Sequence, residues 1–433
     1  MFQSNSWPDL AQLIEKATPR LSTPLYVYHP QVIRDRAQQL RQLFHNNLSL
    51  SYAVKANPNQ FLLKEIDRQV DFFDVSSVGE LQRVIDAGCS SERISFSGPA
   101  KRDFELERAI ELDIAEIVIE SVEEARRIDK LSRRLNKQQR VLIRLSPLQT
   151  PRHFAASMAG RATQFGIDEE CFETELPSIV QLPGLNIRGF HIYSGSNCLS
   201  AEAIIENFKM MLACFTRVRD ICGIQPEKLI LGAGFGLPYL ATDTTLDVQK
   251  LASEINPLIK AHRQQDNLQH CQYTLELGRW LVGPAGVLLT SVVASKKSRG
   301  IAIRLCDAGF NNHLAAFGLM GSVIRRNWRI RNITNPDAVP ETVNLVGPLC
   351  TSIDILAQNI TLPAVRTGDI LAIENSGAYG LTASPMDFIS HPRPHEIAVL
   401  DNTVVDISDQ CTTISKQSAS LPGNFVVDNG SPI

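Results

Sequence analysis

The feature that most constrains this chain is a rhythm. Short, apolar, β-branched runs recur at residues 50–54, 70–75, 94–96, 114–119, 141–145, 187–193, 229–231 and 273–275, with helical patterns between most of them. Each run is too uniformly apolar for a sheet with one wet face, so both faces must be covered, and helices are the usual cover. Eight such strands alternating with helices predict an α/β fold of the (β/α)8 TIM-barrel type, with a doubly wound parallel sheet as the competing architecture. Two helices carry starting signals that read as capping boxes, Ser77-Val-Gly-Glu80 and Ser121-Val-Glu-Glu124. After the first, Leu81, Val84 and Ile85 form an apolar stripe and Gly88 marks a stop. Residues 31–44 also read as a helix, from the spacing of Ile33, Ala37, Leu40 and Phe44.

Past residue 277 the rhythm changes. Strand patterns at 287–295, 301–306, 343–346, 369–374 and 396–400 are punctuated by Gly, Pro and Asn, which predicts a mostly-β second domain. The run Leu25-Tyr-Val-Tyr28, after Pro24, is a candidate extra strand for it. The division expected is a barrel over 30–277 and a β-rich domain from 1–29 and 278–433, with weak helix at 9–16 and a loose tail near 415–433. A length of 433 residues suffices for two such cores. A formal net charge of −3 offers no basic field, so neither nucleic acid nor an anionic membrane is an expected partner. The nine cysteines include no Cys-x-x-Cys pair, which argues against a zinc site and a disulfide framework and for a reducing, cytoplasmic setting. No leader pattern opens the chain and no apolar run approaches the roughly 18 residues that span a bilayer.

Active sites of barrels gather at the C-terminal strand ends. Those ends supply Lys55, Asp74, Ser76, Ser97, Glu120, Arg144, His191, Ser194, the Gly232-Ala-Gly-Phe-Gly236 turn and Glu276. Burial of Lys55 would lower its pKa and leave a neutral amine able to form a Schiff base with an aldehyde; a strand-end lysine reaching solvent is the plainer alternative. The glycine turn reads as a phosphate cradle or as an ordinary tight turn. Glu276 and Arg279 read as groups for a protonated heterocycle and a phosphate, or as an internal ion pair. His191 reads as a ring-stacking residue or a core histidine, and Cys350 alone reads as a small buried hydrophobe. Lysine for an aldehyde, cradle for a phosphate, acid for a ring nitrogen and lid for a ring together describe pyridoxal 5'-phosphate.

Seven motifs then resemble one family: Tyr52-Ala-Val-Lys-Ala-Asn57, Phe73-Asp-Val-Ser-Ser-Val-Gly-Glu80, His191-Ile-Tyr-Ser-Gly195, Gly232-Ala-Gly-Phe-Gly236, Glu276-Leu-Gly-Arg279, Gly347-Pro-Leu-Cys350 and Ser376-Gly-Ala-Tyr-Gly380. The chain resembles the fold-type III pyridoxal-phosphate decarboxylases of the diaminopimelate and ornithine decarboxylase family, from about residue 23 to 400. The resemblance implies an alanine-racemase-like barrel with a C-terminal β-domain, working as a homodimer with shared active sites. It implies that Lys55 carries the cofactor, that His191 stacks on its ring, and that Glu276 keeps the ring nitrogen protonated. It further implies a phosphate site of Ser194, Gly234, Phe235, Gly236, Arg279 and Tyr379, with Asp74 and Arg144 among the cofactor's neighbours. Cys350, reaching in from the partner subunit, would return a proton to the substrate carbon.

Departures from the family pattern narrow the substrate. Where the family has an acid that binds a distal ammonium, this chain has Thr351, a loss of about 1.5–3 kcal/mol for a charge-assisted bond. Asp354 lies three residues on and is a candidate replacement. The family's lysine before Phe-Gly is Gln164 here, and Ala233 follows the first glycine of the turn. Residues 158–167 resemble decarboxylases of siderophore intermediates such as a citryl-diamino acid conjugate. Asn375-Ser-Gly-Ala-Tyr-Gly-Leu381, Ser384-Pro385 and His391-Pro392 resemble a decarboxylase of glutamate tethered to a carrier protein. Both implied substrates are conjugates without a free distal ammonium, and Thr351, Tyr379, Arg161, Arg325 and Arg326 are candidates to meet the conjugate. The alternatives are a decarboxylase of free diamino acids using Asp354, and a catalytically inactive regulatory homologue.

Overall fold

The computed structural model describes residues 22–408 apart from residues 46, 150–153, 155, 158, 266–267, 321–325 and 401–402. Strand β1 (Leu25–Tyr28) precedes the barrel, whose strands are β2 (Ser49–Ala53), β3 (Phe72–Val75), β4 (Ile94–Phe96), β5 (Glu116–Ile119), β6 (Gln139–Ser146), β7 (Leu185–Tyr193), β8 (Lys228–Gly232) and β9 (Gln272–Leu277). They are parallel in chain order, and β9 pairs with β2, which closes the ring and rules out the doubly wound alternative. The predicted helix over 31–44 spans Pro30–Leu43, with proline where a missing N–H does no harm. The two capping serines do accept from the N–H three residues on, Ser77 from Glu80 and Ser121 from Glu124. The glutamates, however, reach one residue further back than a capping box requires, to the N–H groups of Ser76 and Glu120. They tie each helix to the end of the strand before it.

The barrel interior is layered. At its base Lys228 and Glu116 pair at 2.7 Å, almost fully buried, with the Lys228 amine 3.3 Å over the Phe72 ring. Above them Val118, Leu142 and Ile230 form a small separate cluster. Side chains two residues further along each strand make the next layer, because alternate residues face the same side. That layer is charged. Parallel register sets Ala53 beside Asp74, Gly232 beside Glu276, and His191 beside both Ile230 and Arg144.

A second sheet is built on β10 (Gly286–Ser298), β11 (Ile301–Cys306), β12 (Ile330–Asn332), β13 (Pro340–Val346), β14 (Ile355–Pro363), β15 (Ile370–Ile373), β16 (His395–Leu400) and β17 (Thr403–Asp406). Its order is β14-β13-β11-β10-β1-β16-β17, with β15 joining β10 to β12. The run at 25–28 therefore sits mid-sheet, antiparallel to β10 and parallel to β16. Strands β12, β14 and β17 carry no clear pattern in the sequence. β12 and β17 are short, and β14 is half exposed and interrupted by Asn359 at φ 48°. The expected helix at 9–16 and tail at 415–433 lie outside the described residues.

Candidate active site

Lys55 leaves the end of β2 on a single 3-10 turn, Val54–Ala56. Asn59 caps the following helix, accepting from Phe61 and Leu62. The turn is clasped by the β-domain, where Asn57 Nδ2 donates to Gly377 O at 2.9 Å and Tyr379 N donates to Ala56 O at 2.8 Å. Tyr379 holds φ 53°, a left-handed conformation that a bulky residue rarely adopts and that persists only where neighbours impose it. Gly278 permits the close approach of β9's end, since a Cβ there would lie 2.9 Å from Ala56 Cβ.

The Lys55 amine is 3.9 Å from Asp74 Oδ2 and 5.7 Å from the centre of the Tyr193 ring. Burial pushes the amine's pKa down, as the sequence suggested, but Asp74, Tyr379, Glu276 and Tyr193 outweigh it and hold it above the ordinary lysine value. The expectation of a neutral lysine is thus corrected, because two buried carboxylates surround one cation. Burial raises Asp74 above the usual carboxylate range, and Glu276 raises it further, against the pull of Lys55. Burial pushes Glu276 up as well, but His191, Lys55 and Arg144 together bring it below its ordinary value. His191 Nε2 lies 3.2 Å from Glu276 Oε2, and both side chains are almost fully buried.

Beside these groups opens a cavity of about 300 Å³, its mouth included, lined by Ala53, Tyr193, Glu276, Gly234, Arg279 and Tyr379 among others. Its glycine wall is two backbones in contact: Cys198 N donates to Gly234 O and Gly236 N to Cys198 O. Gly234 has φ +64°, and a Cβ there would sit 2.3 Å from Gly195 O, so no other residue fits. The Gly236 N–H is committed to this contact. Arg279 donates to Tyr239 Oη at 2.9 Å, and its guanidinium lies 4.6 Å from the Tyr379 ring centre.

Sequence alone did not separate all the candidates. Arg144 faces the same layer but pairs with Glu120 at 2.8 Å and packs 4.4 Å from the Phe165 ring centre, so it braces strands rather than opening to the cavity. Cys350 is exposed and Thr351 half-buried on the β13–β14 connection, and neither lines the cavity beside Lys55 of the same chain. Asp354 is buried and accepts from Phe310 N at 2.8 Å and Leu349 N at 2.9 Å, a structural role rather than the substrate contact considered for it. Arg161 and Arg326 are exposed and do not line the cavity, and Arg325 lies outside the described residues. Tyr193 was missed, although strand alternation from His191 puts it on the same face.

A cofactor can be tested against this donor set. Ser194 Oγ, His191 Nδ1, Arg279 Nε and both Asp74 oxygens are buried without a hydrogen bond of ordinary geometry, polar atoms that a polar ligand would satisfy. A closed barrel whose upper layer offers a lysine amine, a buried acid, a histidine and a cationic, glycine-walled cavity defines an enzyme suited to an aldehyde cofactor bearing a phosphate. The chain belongs to the pyridoxal-dependent decarboxylases: residues 31–283 match the family's pyridoxal binding domain. It is 34% identical to L-glutamyl-[BtrI acyl-carrier protein] decarboxylase of Niallia circulans, over 89% of this chain and 90% of the relative. It is 27% identical to 2-[(L-alanin-3-ylcarbamoyl)methyl]-2-hydroxybutanedioate decarboxylase of Staphylococcus aureus, over 86% and 93% of the two chains. Among solved structures it is similar to diaminopimelate decarboxylase from Helicobacter pylori complexed with L-lysine. That match has a TM-score of 0.79 and 28% identity over 91% of this chain and 95% of the other. The enzyme is therefore a pyridoxal-phosphate-dependent decarboxylase of the diaminopimelate and ornithine decarboxylase family.

Proposed function

We propose that this enzyme removes the α-carboxylate of a conjugated amino acid, either a siderophore intermediate such as a citryl-diamino acid or an amino acid tethered to a carrier protein. The observation that carries the reading is Asp354. With Thr351 in place of the family's acid, Asp354 is the next carboxylate along the chain that could meet a distal ammonium, and both its oxygens accept from backbone N–H groups. A free diamino acid would leave its ammonium without a charged partner there, an outcome costing about 1.5–3 kcal/mol. The Niallia and Staphylococcus relatives are named for a carrier-tethered and a conjugated substrate, which supports the same class.

The proposed roles follow from position. Lys55 Nζ would hold the cofactor covalently, and Asp74 Oδ2, its neighbour at 3.9 Å with a raised pKa, would take the proton that the amine must lose first. Bound pyridoxal phosphate supplies the electron sink for the pair left behind by departing CO₂. Glu276, kept anionic near the C-terminal end of β9, would hold the proton of the ring nitrogen, and His191 would cover the ring. Ser194, the Gly234–Phe235 backbone, Arg279 and Tyr379 would hold the phosphate, while the Gly236 N–H stays bonded to Cys198 O. In a homodimer, Cys350 of one chain protonates the substrate carbon beside Lys55 of the other, with Thr351 next to it.

Mass spectrometry of purified holoenzyme with citryl-diamino acid conjugates, carrier-tethered amino acids and free diamino acids tests the substrate. Loss of CO₂ from a conjugate is expected, and faster turnover of free lysine, ornithine or diaminopimelate would overturn the reading. Mixing Lys55→Ala with Cys350→Ala enzyme should restore activity through hybrid dimers; no recovery would refute the shared site.

A further inference from the structure

Arg279 is a cation held without an anion. Among the described residues no carboxylate pairs with it. Its hydrogen-bond acceptor is the Tyr239 hydroxyl at 2.9 Å, and its other close neighbours are the ring faces of Tyr379 at 4.6 Å and Tyr239 at 5.6 Å. A half-buried guanidinium fixed by neutral groups keeps its full charge for a ligand, whereas a carboxylate partner would cancel it. The phenol must therefore stay neutral, and burial does push its pKa up. Tyr239 is in turn fixed from the other domain. Its ring stacks on Trp328 with centroids 4.2 Å apart, and Trp328 meets His313 edge-on at 4.9 Å. The backbone beneath is stapled as well: Arg329 N donates to Tyr239 O at 2.8 Å, Arg329 Nε to Leu240 O at 3.0 Å, and Asn375 Nδ2 to Pro238 O at 3.1 Å.

We propose that Tyr239, clamped by Trp328 of the β-domain, is a positioning residue that aims Arg279 at the cofactor phosphate, so that phosphate affinity depends on the contact between the two domains. The inference rests on the phosphate role given to Arg279 above. It makes the second domain part of the cofactor site without contributing a ligand at this point.

The test compares pyridoxal 5'-phosphate with pyridoxal, which lacks the phosphate, by titrating each into apoenzyme and following the absorbance of the bound aldehyde. Tyr239→Phe keeps the stack and loses the hydroxyl, so it should weaken pyridoxal phosphate about tenfold, the scale of one hydrogen bond to a charged group, and leave pyridoxal within about twofold. Trp328→Leu, which keeps the hydroxyl but frees the ring, should shift the same preference in the same direction. In an Arg279→Ala background Tyr239→Phe should have no further effect, because its action passes through the guanidinium. Equal losses for both aldehydes, no loss for either, or an undiminished effect without Arg279 would overturn the proposal. If Arg279→Ala itself fails to discriminate between the two aldehydes, the phosphate role of Arg279 falls, and this inference with it. If Arg279→Ala discriminates and Tyr239→Phe does not, only the positioning role fails.

Discussion

Asp354→Asn separates a structural carboxylate from a substrate-binding one. Asp354 is 3% exposed, and its two oxygens accept from Phe310 N and Leu349 N while its own carbonyl accepts from Gly347 N at 3.0 Å. The loop it closes carries Cys350 and Thr351. Space there is already used, since a Cβ on Gly347 would lie 2.2 Å from Asp354 Oδ2. Asparagine keeps one acceptor and turns an NH₂ toward the other backbone donor. One charge-assisted bond is lost, the survivor becomes neutral, and a buried N–H is left without a partner, together about 3–5 kcal/mol. With an unfolding entropy of about 2.1 cal/mol/K per residue, a chain of this size loses roughly 1.1 °C per kcal/mol, so the midpoint should fall by about 3–6 °C. Thermal unfolding of the apoenzyme by circular dichroism measures it, and alkylation of Cys350 should quicken as the loop loosens. A variant that melts within 1 °C of the parent, yet loses KM for a free diamino acid, would refute the structural assignment and revive Asp354 as a substrate ligand.

Glu276→Gln should bind pyridoxal phosphate at Lys55 but lose decarboxylation by about 10²-fold, read by single-turnover CO₂ release, because the amide cannot balance a protonated ring nitrogen. Gly234→Ala should weaken the cofactor roughly tenfold or more, measured by titration, since φ +64° and a Cβ at 2.3 Å from Gly195 O force the turn apart. Burial holds His313 down from the ordinary 6.5 to about 3, so it folds neutral. The unfolded chain takes up the proton first, which means stability present above pH 6.5 is lost progressively as pH falls toward 3. By pH 5 this amounts to about 2 kcal/mol, and His313→Gln should flatten the dependence of the denaturation midpoint between pH 7 and 5.

The sequence was most legible where pattern and chemistry are local. The eight apolar runs fell on the eight barrel strands because a strand buried on both faces must be apolar whatever surrounds it. Lys55, Asp74, His191 and Glu276 were legible for a related reason: each sits at a strand end, and barrel closure leaves strand ends only one place to go. Strands β12 and β14 were illegible because short or half-exposed strands lack a period to detect.

Charge and partnership belong to the tertiary structure. From sequence, Lys55 is one lysine leaving an apolar strand, and burial alone predicts a lowered pKa. Only the fold brings Asp74 and Glu276 around it and reverses the sign. Likewise, nothing along the chain says that Arg144 is held by Glu120, that Asp354 faces backbone, or that Tyr239 bonds Arg279 while stacking on Trp328, 89 residues away in number. The residue types and strand positions are written in the chain by local periodicity and turn chemistry. Electrostatic sign, hydrogen-bond partner and the distinction between brace and ligand arise from contacts between distant segments, which no local rule encodes.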